Sequence, residues 1–275
     1  SGRPESLELA RELYGPEVAA AIVRRLGALR DDLERDRRIR IATTLRGPMA
    51  EAFAEALTET DDRGARHAYL DALVALGEDG RAEAKKMLDE SRWWVVRNGA
   101  TILGGTGTRS DVEDLTAHLA HDDARVRLQV VRALARIGGE DAAMLLLGMV
   151  DDPDPDVRAS VATALGALGL DRAVKFLLER LEIETEEKVE VQILRALGAL
   201  GDPGAVPSIE KRTVGNFFSK PSTTVRVAAY RALGSIGTPR ATQLLQEARD
   251  DRDDEVRHAV RSVLDRREGQ AAAPE

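Results

Sequence analysis

Two tryptophans and an arginine lie within five consecutive residues of this chain. Trp93 and Trp94 are its only tryptophans, and Arg97 follows Trp93 by four residues. Residues i and i+4 are neighbours on an α-helix, so Arg97 can stack on the Trp93 ring in a cation–π contact. Tryptophan and arginine are enriched where protein interfaces concentrate their binding energy. In the alternative, structural interpretation the rings fill space beside Gly99 and Arg97 reaches an acidic neighbour.

A pair of histidines three residues apart, His118 and His121, is a second candidate for chemistry. Asp114 and Asp122 are close to them in sequence. Imidazoles and carboxylates together can bind a transition metal. Since histidines at helical spacing are also common on protein surfaces, we interpret these two as a surface pair, and we predict no metal and no cofactor.

Large apolar residues form the third group of candidates. Phe217 and Phe218 stand between Gly215 and Pro221 and are expected in a loop, where they either bind a partner or fold back over the protein. Four others fall on predicted second helices and are expected to form one exposed apolar patch, unless tighter local packing buries them. These four residues are Met144, Leu147, Phe176 and Ile183.

A repeat of about 31 residues positions these candidates. An apolar residue returns at intervals of 30 to 36 residues, and in all but the last copy a glycine follows it twelve places later. Apolar residues at offsets 0, +4, +7, +8 and +11 form one stripe along a helix, and a second amphipathic stretch follows each glycine. Periods of this length are typical of stacked helical units. The repeat positions are Ala65, Val95, Val126, Val157, Val189, Val225 and Val256.

The pattern predicts an all-α fold, an α-solenoid of two-helix repeats. We expect a single solenoid over 1–267, with degenerate units at 1–61, regular repeats at 62–251 and a capping helix at 252–267, followed by a tail at 268–275. The chain begins at Ser1 without methionine and ends in a linker-like segment, so we expect a piece of a longer protein.

In most repeats an arginine follows the first apolar residue. An acidic residue often stands four positions before this arginine. Repetition favours a structural role, so we predict a ladder of charged contacts between neighbouring repeats. The arginines are Arg66, Arg127, Arg158, Arg226 and Arg257.

The form Asp-x-x-Val-Arg…Ala-Leu-Gly-x-Leu-Gly, as in residues 154–169, resembles HEAT repeats, specifically the short bacterial type named after phycobilisome lyase. The resemblance covers about 62–265, and it implies that the second helices line a concave inner surface. Tandem tryptophans also resemble those of HEAT-like alkylpurine DNA glycosylases, but the turn from Val95 to Asn98 lacks the carboxylate that such catalysis needs. Deoxyhypusine hydroxylases of this class hold iron through His-Glu pairs, and no histidine here is followed by glutamate.

Composition narrows the function further. The net charge is −8, the isoelectric point is near 5.3 and there is no cysteine, which excludes disulfide and thiol chemistry and disfavours general affinity for nucleic acid or anionic membranes. We predict a cytoplasmic, bacterial, non-enzymatic scaffold or adaptor that binds a protein or peptide along one face. The alternatives are a lyase or chaperone, and a nucleic-acid-binding relative of the glycosylases. A basic groove for nucleic acid would have to come from Lys175, Arg180, Lys211, Arg212 and Arg240.

Overall fold

The structure, a computed structural model, describes residues 15–29, 31–45, 47–214 and 221–271. These residues form α-helices, four short 3-10 helices and the turns between them, and no β-strand occurs among them. The all-α prediction is confirmed. Phe217 and Phe218 lie outside the described residues. The chain divides into two compact units, of which the first ends at Ile137 and the second begins at Gly138. One continuous solenoid over 1–267 stays a prediction.

Unit 1 alternates first helices and second helices. The first helices are α2, α4, α6 and α8, each of which contacts the next, and the second helices are α1, α3, α5 and α7. Their bounds are α1 Pro16–Gly27, α2 Asp32–Ala42, α3 Pro48–Glu59, α4 Arg63–Ala75, α5 Glu78–Leu88, α6 Trp93–Thr106, α7 Val112–Thr116 and α8 Ala124–Ile137.

Unit 2 continues the same alternation. Its first helices α10, α12, α14 and α16 stack in sequence, and its second helices are α9, α11, α13 and α15. Their bounds are α9 Glu140–Leu147, α10 Pro155–Leu168, α11 Ala173–Ile183, α12 Glu187–Leu200, α13 Val206–Val214, α14 Thr223–Ile236, α15 Pro239–Glu247 and α16 Asp254–Ala271. Each unit is therefore an α-solenoid of helical hairpins.

The predicted apolar stripe forms the core of both units. In α8, Val126, Val130 and Leu134 are completely buried, and the equivalent residues of α10 and α12 are buried in the same way. The residue at offset +11, such as Ile137, is only half-buried because it lies in the last turn of its helix. Side chains repeated every helical turn on one face leave water together, which is the main source of stability in a stacked array.

The repeat boundaries coincide with helix caps. The Asp62 carboxylate accepts a hydrogen bond from the backbone N–H of Ala65 at 2.6 Å, and the Ser222 hydroxyl accepts one from Val225 at 3.2 Å. Asp154 caps α10 in the same manner. Such a side chain satisfies backbone donors that have no partner within the first helical turn. In these copies the polar residue before the first helix therefore fixes where the hairpin begins.

Two glycines in the Leu-Gly-x-x-Gly motif serve different purposes. The closing glycine, as at Gly169 and Gly201, has a positive φ of 67° or 71°, a left-handed conformation that ends the helix. The inner glycine lets neighbouring first helices approach closely. A Cβ on Gly166 would stand 2.8 Å from the Cα of Ala196, and one on Gly198 would stand 2.8 Å from the Cα of Ala232.

Candidate functional site

The N-terminus of α6 holds the aromatic cluster. The guanidinium carbon of Arg125 lies 3.4 Å from the Trp93 ring centroid, and that of Arg97 lies 5.4 Å from it. Trp94 meets Trp93 edge to face, with centroids 6.0 Å apart and an interplanar angle of 83°. Trp94 is 40% exposed. The predicted stacking of Arg97 on Trp93 is present, and the shorter stacking contact, with Arg125, comes from the next first helix, α8.

Arg97 makes no ion pair with any described residue, and the charge of Asp123 acts on it only from farther away, so the structural alternative, in which Arg97 reaches an acidic neighbour, is wrong. Among the described residues its side chain hydrogen-bonds only to Asn98, whose Oδ1 accepts at 2.9 Å. Burial, and next the charge of Arg66, lower the pKa of Arg97. Gly99 does not leave a gap for the rings either, because a Cβ there would stand 2.8 Å from the Ala84 carbonyl oxygen on α5.

A cavity of about 350 Å³ opens beside these residues, and we call it the tryptophan cavity. Small-molecule sites typically start near ~300 Å³, so this volume can hold a side chain or a short peptide terminus. The repeat pattern gave no indication that Arg66 and Asn98 line a cavity. The available signal was Arg92, which stands where other repeats have an acidic or hydroxyl cap. The wall consists of Leu57, Thr58, Thr60, Asp61, Arg66, Trp93, Trp94, Arg97 and Asn98.

Three of the four apolar residues predicted on the second helices of unit 2 are exposed. Met144 is 44% exposed, Phe176 is 40% and Ile183 is 66%. That the three form one surface stays a prediction, and we call them the apolar patch. Leu147 is only 7% exposed, so its prediction as a contact residue is wrong. It lies on the inward side of α9, one position after buried Leu146, where it packs into the core.

The histidine pair shows no metal-binding arrangement. Nδ1 of His121 accepts a hydrogen bond from the backbone N–H of Asp123 at 3.0 Å, and burial lowers the pKa of His118. No group of three or more His, Asp or Glu side chains suited to a metal ion occurs within the described parts of the chain.

The repeated arginines bind backbone carbonyls rather than the acidic caps of their own helices. In four repeats the side chain donates to the carbonyl oxygen six residues earlier, as Arg66 does to Thr60 at 3.1 Å and Arg158 to Asp152 at 2.8 Å. The other two are Arg127 and Arg257. Each of these arginines therefore ties the start of a first helix to the segment before it, a local structural role within the predicted ladder.

Two of the repeated arginines, Arg158 and Arg226, also pair with a carboxylate from the segment before the next first helix. Glu184 accepts two hydrogen bonds from Arg158, at 2.9 Å each, and one from Arg180 at 2.9 Å. Arg226 pairs with Asp251. Burial would raise the pKa of Glu184, but the hydrogen bonds from both arginines and from two backbone N–H groups outweigh it and lower the pKa to about 2.

An equivalent buried carboxylate occurs in unit 1. The Asp111 side chain has no exposed surface, and it pairs with Arg81 at 2.9 Å and with Lys85 at 2.8 Å. It also closes a capping box with Thr108. Burial would raise its pKa, but Lys85, the Thr108 backbone and Arg81 together lower the pKa to about 2.

Every basic residue that could build a nucleic-acid groove is paired with a carboxylate. Lys175 is 3.9 Å from Glu179, and Arg240 pairs with Glu210. The remaining three also have acidic partners, so these five residues present no row of free positive charge to neutralise phosphates. These partners are Glu184 and Asp151 for Arg180, Glu182 for Lys211, and Glu190 for Arg212.

The model of the family described as HEAT repeats matches residues 112–191, 150–214 and 184–265, which together span more than half of the chain. No curated protein matches the sequence. None of the described helices is both long and apolar enough to span a membrane.

Solved structures with a similar fold include large helical solenoids. The karyopherin Kap121p bound to the extreme C-terminus of the protein phosphatase Cdc14p is similar with a TM-score of 0.65 and 12% identity, over 91% of this chain and 33% of that one. A homology model of the full-length AP-3 complex has a TM-score of 0.62 and 15% identity, over 96% and 51%. The complex of CpcE and CpcF of phycocyanin lyase from Nostoc sp. PCC7120 has a TM-score of 0.40 and 18% identity, over 92% and 94%.

Proposed function

We propose that this chain, which belongs to the HEAT-repeat family, is a non-enzymatic scaffold that binds a peptide or protein domain through the second helices of unit 2. The observation that carries the proposal is the apolar patch, in which three large apolar side chains remain 40% to 66% exposed. Exposed apolar groups that lie together on a folded protein commonly mark sites of interaction.

The position of the patch in the repeat supports this function. Met144 and Phe176 occupy the same place on consecutive second helices, two residues after the first inward apolar residue. The equivalent residues on the later second helices are Ser208 and Gln243, so apolar character at this position is local rather than a requirement of the repeat. Methionine adapts its shape to a bound surface at low cost, which suits a contact residue.

A non-catalytic role agrees with the chemistry of the shifted carboxyl groups. Acid–base catalysis commonly uses a carboxyl group with a raised pKa in a cleft. Asp111, Asp123 and Glu184 instead have pKa values lowered to about 2, and each has an arginine partner. Such groups hold helices together and remain ionised at neutral pH.

The test is affinity capture from the native cell, followed by direct binding of the purified partner. We expect a variant with Met144→Glu and Phe176→Glu to lose the partner while it keeps its helical circular dichroism. Each glutamate would place a charge in a dehydrated interface, which we expect to weaken binding by about 100-fold or more.

The matched control carries two glutamates at apolar positions of similar exposure in unit 1, Val18→Glu and Ile41→Glu. This control should bind as the unmodified protein does. Unchanged capture by the Met144 and Phe176 variant, or an equal loss in both variants, would count against the proposal. Turnover of any captured small molecule by the purified protein would contradict the non-enzymatic role.

A further inference from the structure

In unit 2, two of the repeated arginines pair with a carboxylate that stands at the same position relative to the next helix cap. Glu184, which pairs with Arg158, lies two residues before the next helix cap, Glu186. Asp251, which pairs with Arg226, lies two residues before Asp253. In both copies, the segment before the next first helix therefore supplies the counter-charge for the arginine of the preceding repeat.

This pairing is absent in the repeat before the tryptophans, whose arginine is Arg66. Glu90 occupies the matching place, but it pairs with Arg92 at 3.1 Å instead of with Arg66. The diversion has a sequence cause, because Arg92 stands at the cap of α6, where five other repeats have an acidic residue and a sixth has serine. Arg66 keeps its bond to the Thr60 carbonyl, and no carboxylate among the described residues pairs with it.

Arg97 adds a second guanidinium to the same cavity, and its charge is offset only in part, by Asp123 from beyond ion-pair distance. It is half-buried, it has no ion pair within the described chain, and it is close enough to Arg66 for that charge to lower its pKa. Asn98, only 2% exposed, accepts from Arg97 through Oδ1, while its amide nitrogen has no hydrogen-bond partner among the described residues. Two cations and a free amide donor thus border one cavity.

We propose that the tryptophan cavity binds a carboxylate group of a peptide, held by Arg66 and Arg97, with an adjacent apolar group of that peptide on the exposed ring of Trp94. Guanidinium groups bind carboxylates through two parallel hydrogen bonds, and burial strengthens such bonds. The site is on unit 1 and does not depend on the apolar patch.

The surroundings favour a peptide carboxylate over a nucleic-acid phosphate. The chain has a net charge of −8, and Asp61 lies on the wall of the cavity with its side chain exposed. A nucleic acid would bring a row of charges past Asp61, whereas a peptide can present a single carboxylate with neutral neighbours. No ion pair joins Asp61 to either arginine in the described structure.

The two tryptophans make the experiment direct, because Trp93 and Trp94 account for all indole fluorescence of the protein. The probes are N-acetyl-phenylalanine, which has a terminal carboxylate, and N-acetyl-Glu-Phe-amide, which has a side-chain carboxylate. Their neutral counterparts are N-acetyl-phenylalaninamide and N-acetyl-Gln-Phe-amide. We expect a saturable change in emission with at least one acid, and at least ~10-fold weaker binding of its neutral counterpart. The acid that binds identifies the source of the carboxylate.

Three variants define the site. Arg97→Gln removes one cation, and Asn98→Asp places a carboxylate of similar size beside Arg97, so each should weaken binding of the acid by about tenfold or more. In the matched control, Arg125→Gln, the lost cation stacks on Trp93 but does not border the cavity, and we expect a change below about threefold. Circular dichroism shows whether each variant keeps its fold. Each acid is compared with its neutral counterpart on the unmodified protein, so that comparison does not depend on whether a variant folds.

Several outcomes would overturn the proposal. They are equal binding of acid and amide, no saturable change up to ~10 mM of either acid, and a loss in Arg125→Gln as large as that in Arg97→Gln. Tighter binding of a thymidine oligonucleotide than of either acid would also overturn it and would assign the cavity to nucleic acid.

Discussion

The contact between Glu184 and the two arginines allows a quantitative test of how the hairpins of unit 2 are held together. Glu184 has no exposed side-chain surface, and Arg158, its main partner, is 8% exposed. Glu184→Gln would keep the size of the side chain while it removes the charge. Arg158 would then remain buried with only carbonyl partners, and removal of one member of a buried ion pair commonly costs ~3–5 kcal/mol.

The pKa of Glu184 gives a second, independent magnitude. A change from the ordinary value of 4.5 to about 2 corresponds to roughly 3 kcal/mol of stability at neutral pH. Solvent near the ion pair screens part of this stabilisation. We therefore expect Glu184→Gln to lower the free energy of unfolding by about 2–3 kcal/mol. Because the folded pKa is the lower one, this stability is present above pH ~4.5 and disappears as the pH falls toward ~2.

The assay is urea unfolding of both proteins by circular dichroism between pH 7 and pH 3, with hydrogen exchange of α11 and α12 as a local measure. The difference between unmodified protein and Glu184→Gln should be largest at pH 7 and should shrink at low pH. Glu182→Gln is the matched control, because Glu182 lies two residues earlier, in the last turn of α11, and pairs with an exposed lysine, Lys211. Glu182→Gln should lower the free energy of unfolding by under ~1 kcal/mol. A cost below ~0.5 kcal/mol for Glu184→Gln, or one that does not vary with pH, would refute the reasoning.

Two more stability predictions follow from the packing. Gly198→Ala should destabilise the protein by about 1–3 kcal/mol in urea unfolding despite better helix propensity, because the added Cβ would lie 2.8 Å from a backbone carbon of the next first helix. Gly148→Ala is its control and should change stability by under ~1 kcal/mol, since its nearest contact would be 3.4 Å, and an equal effect of both would contradict the close-approach argument. Asp111→Asn should lower the stability of unit 1 by about 2–4 kcal/mol at pH 7, measured by tryptophan fluorescence, and a shift no larger than that of the partly exposed Asp79→Asn would contradict it.

Most of the fold could be predicted because the repeat presents the same physical requirement many times. Each copy needs an apolar stripe, a cap before the first helix and a residue that tolerates positive φ after it. Val157, Asp154 and Gly169 meet these three requirements in one copy, and the structure shows each in its expected role. Agreement across copies makes such an assignment robust where a single helix would be ambiguous.

The partners of individual side chains could not be predicted in the same way. The sequence predicts a ladder of charged contacts between neighbouring repeats, but it does not give the individual partners: Arg158 reaches a carbonyl six residues earlier and a carboxylate 26 residues later. Those contacts depend on the angle at which one hairpin meets the next, which the period of the pattern does not specify. For the same reason Leu147 was placed on the exposed face of α9, although it is 7% exposed.

Irregular repeats are therefore the most informative part of this chain. In a regular repeat such as that of Arg158 or Arg226, the repeated arginine has a carboxylate partner whose position the neighbouring copy determines. One substitution at a cap, Arg92 in place of an acidic residue, diverts Glu90 and leaves Arg66 without a carboxylate in the described structure. Retention of uncompensated, half-buried charge carries a cost in desolvation, and a bound anion would offset that cost. The reverse substitution, Arg92→Asp, should release Glu90 to Arg66, stabilise unit 1 and abolish binding of the carboxylate probe. If the Arg92→Asp variant still bound the carboxylate probe, the irregular cap would not be the cause of the binding site.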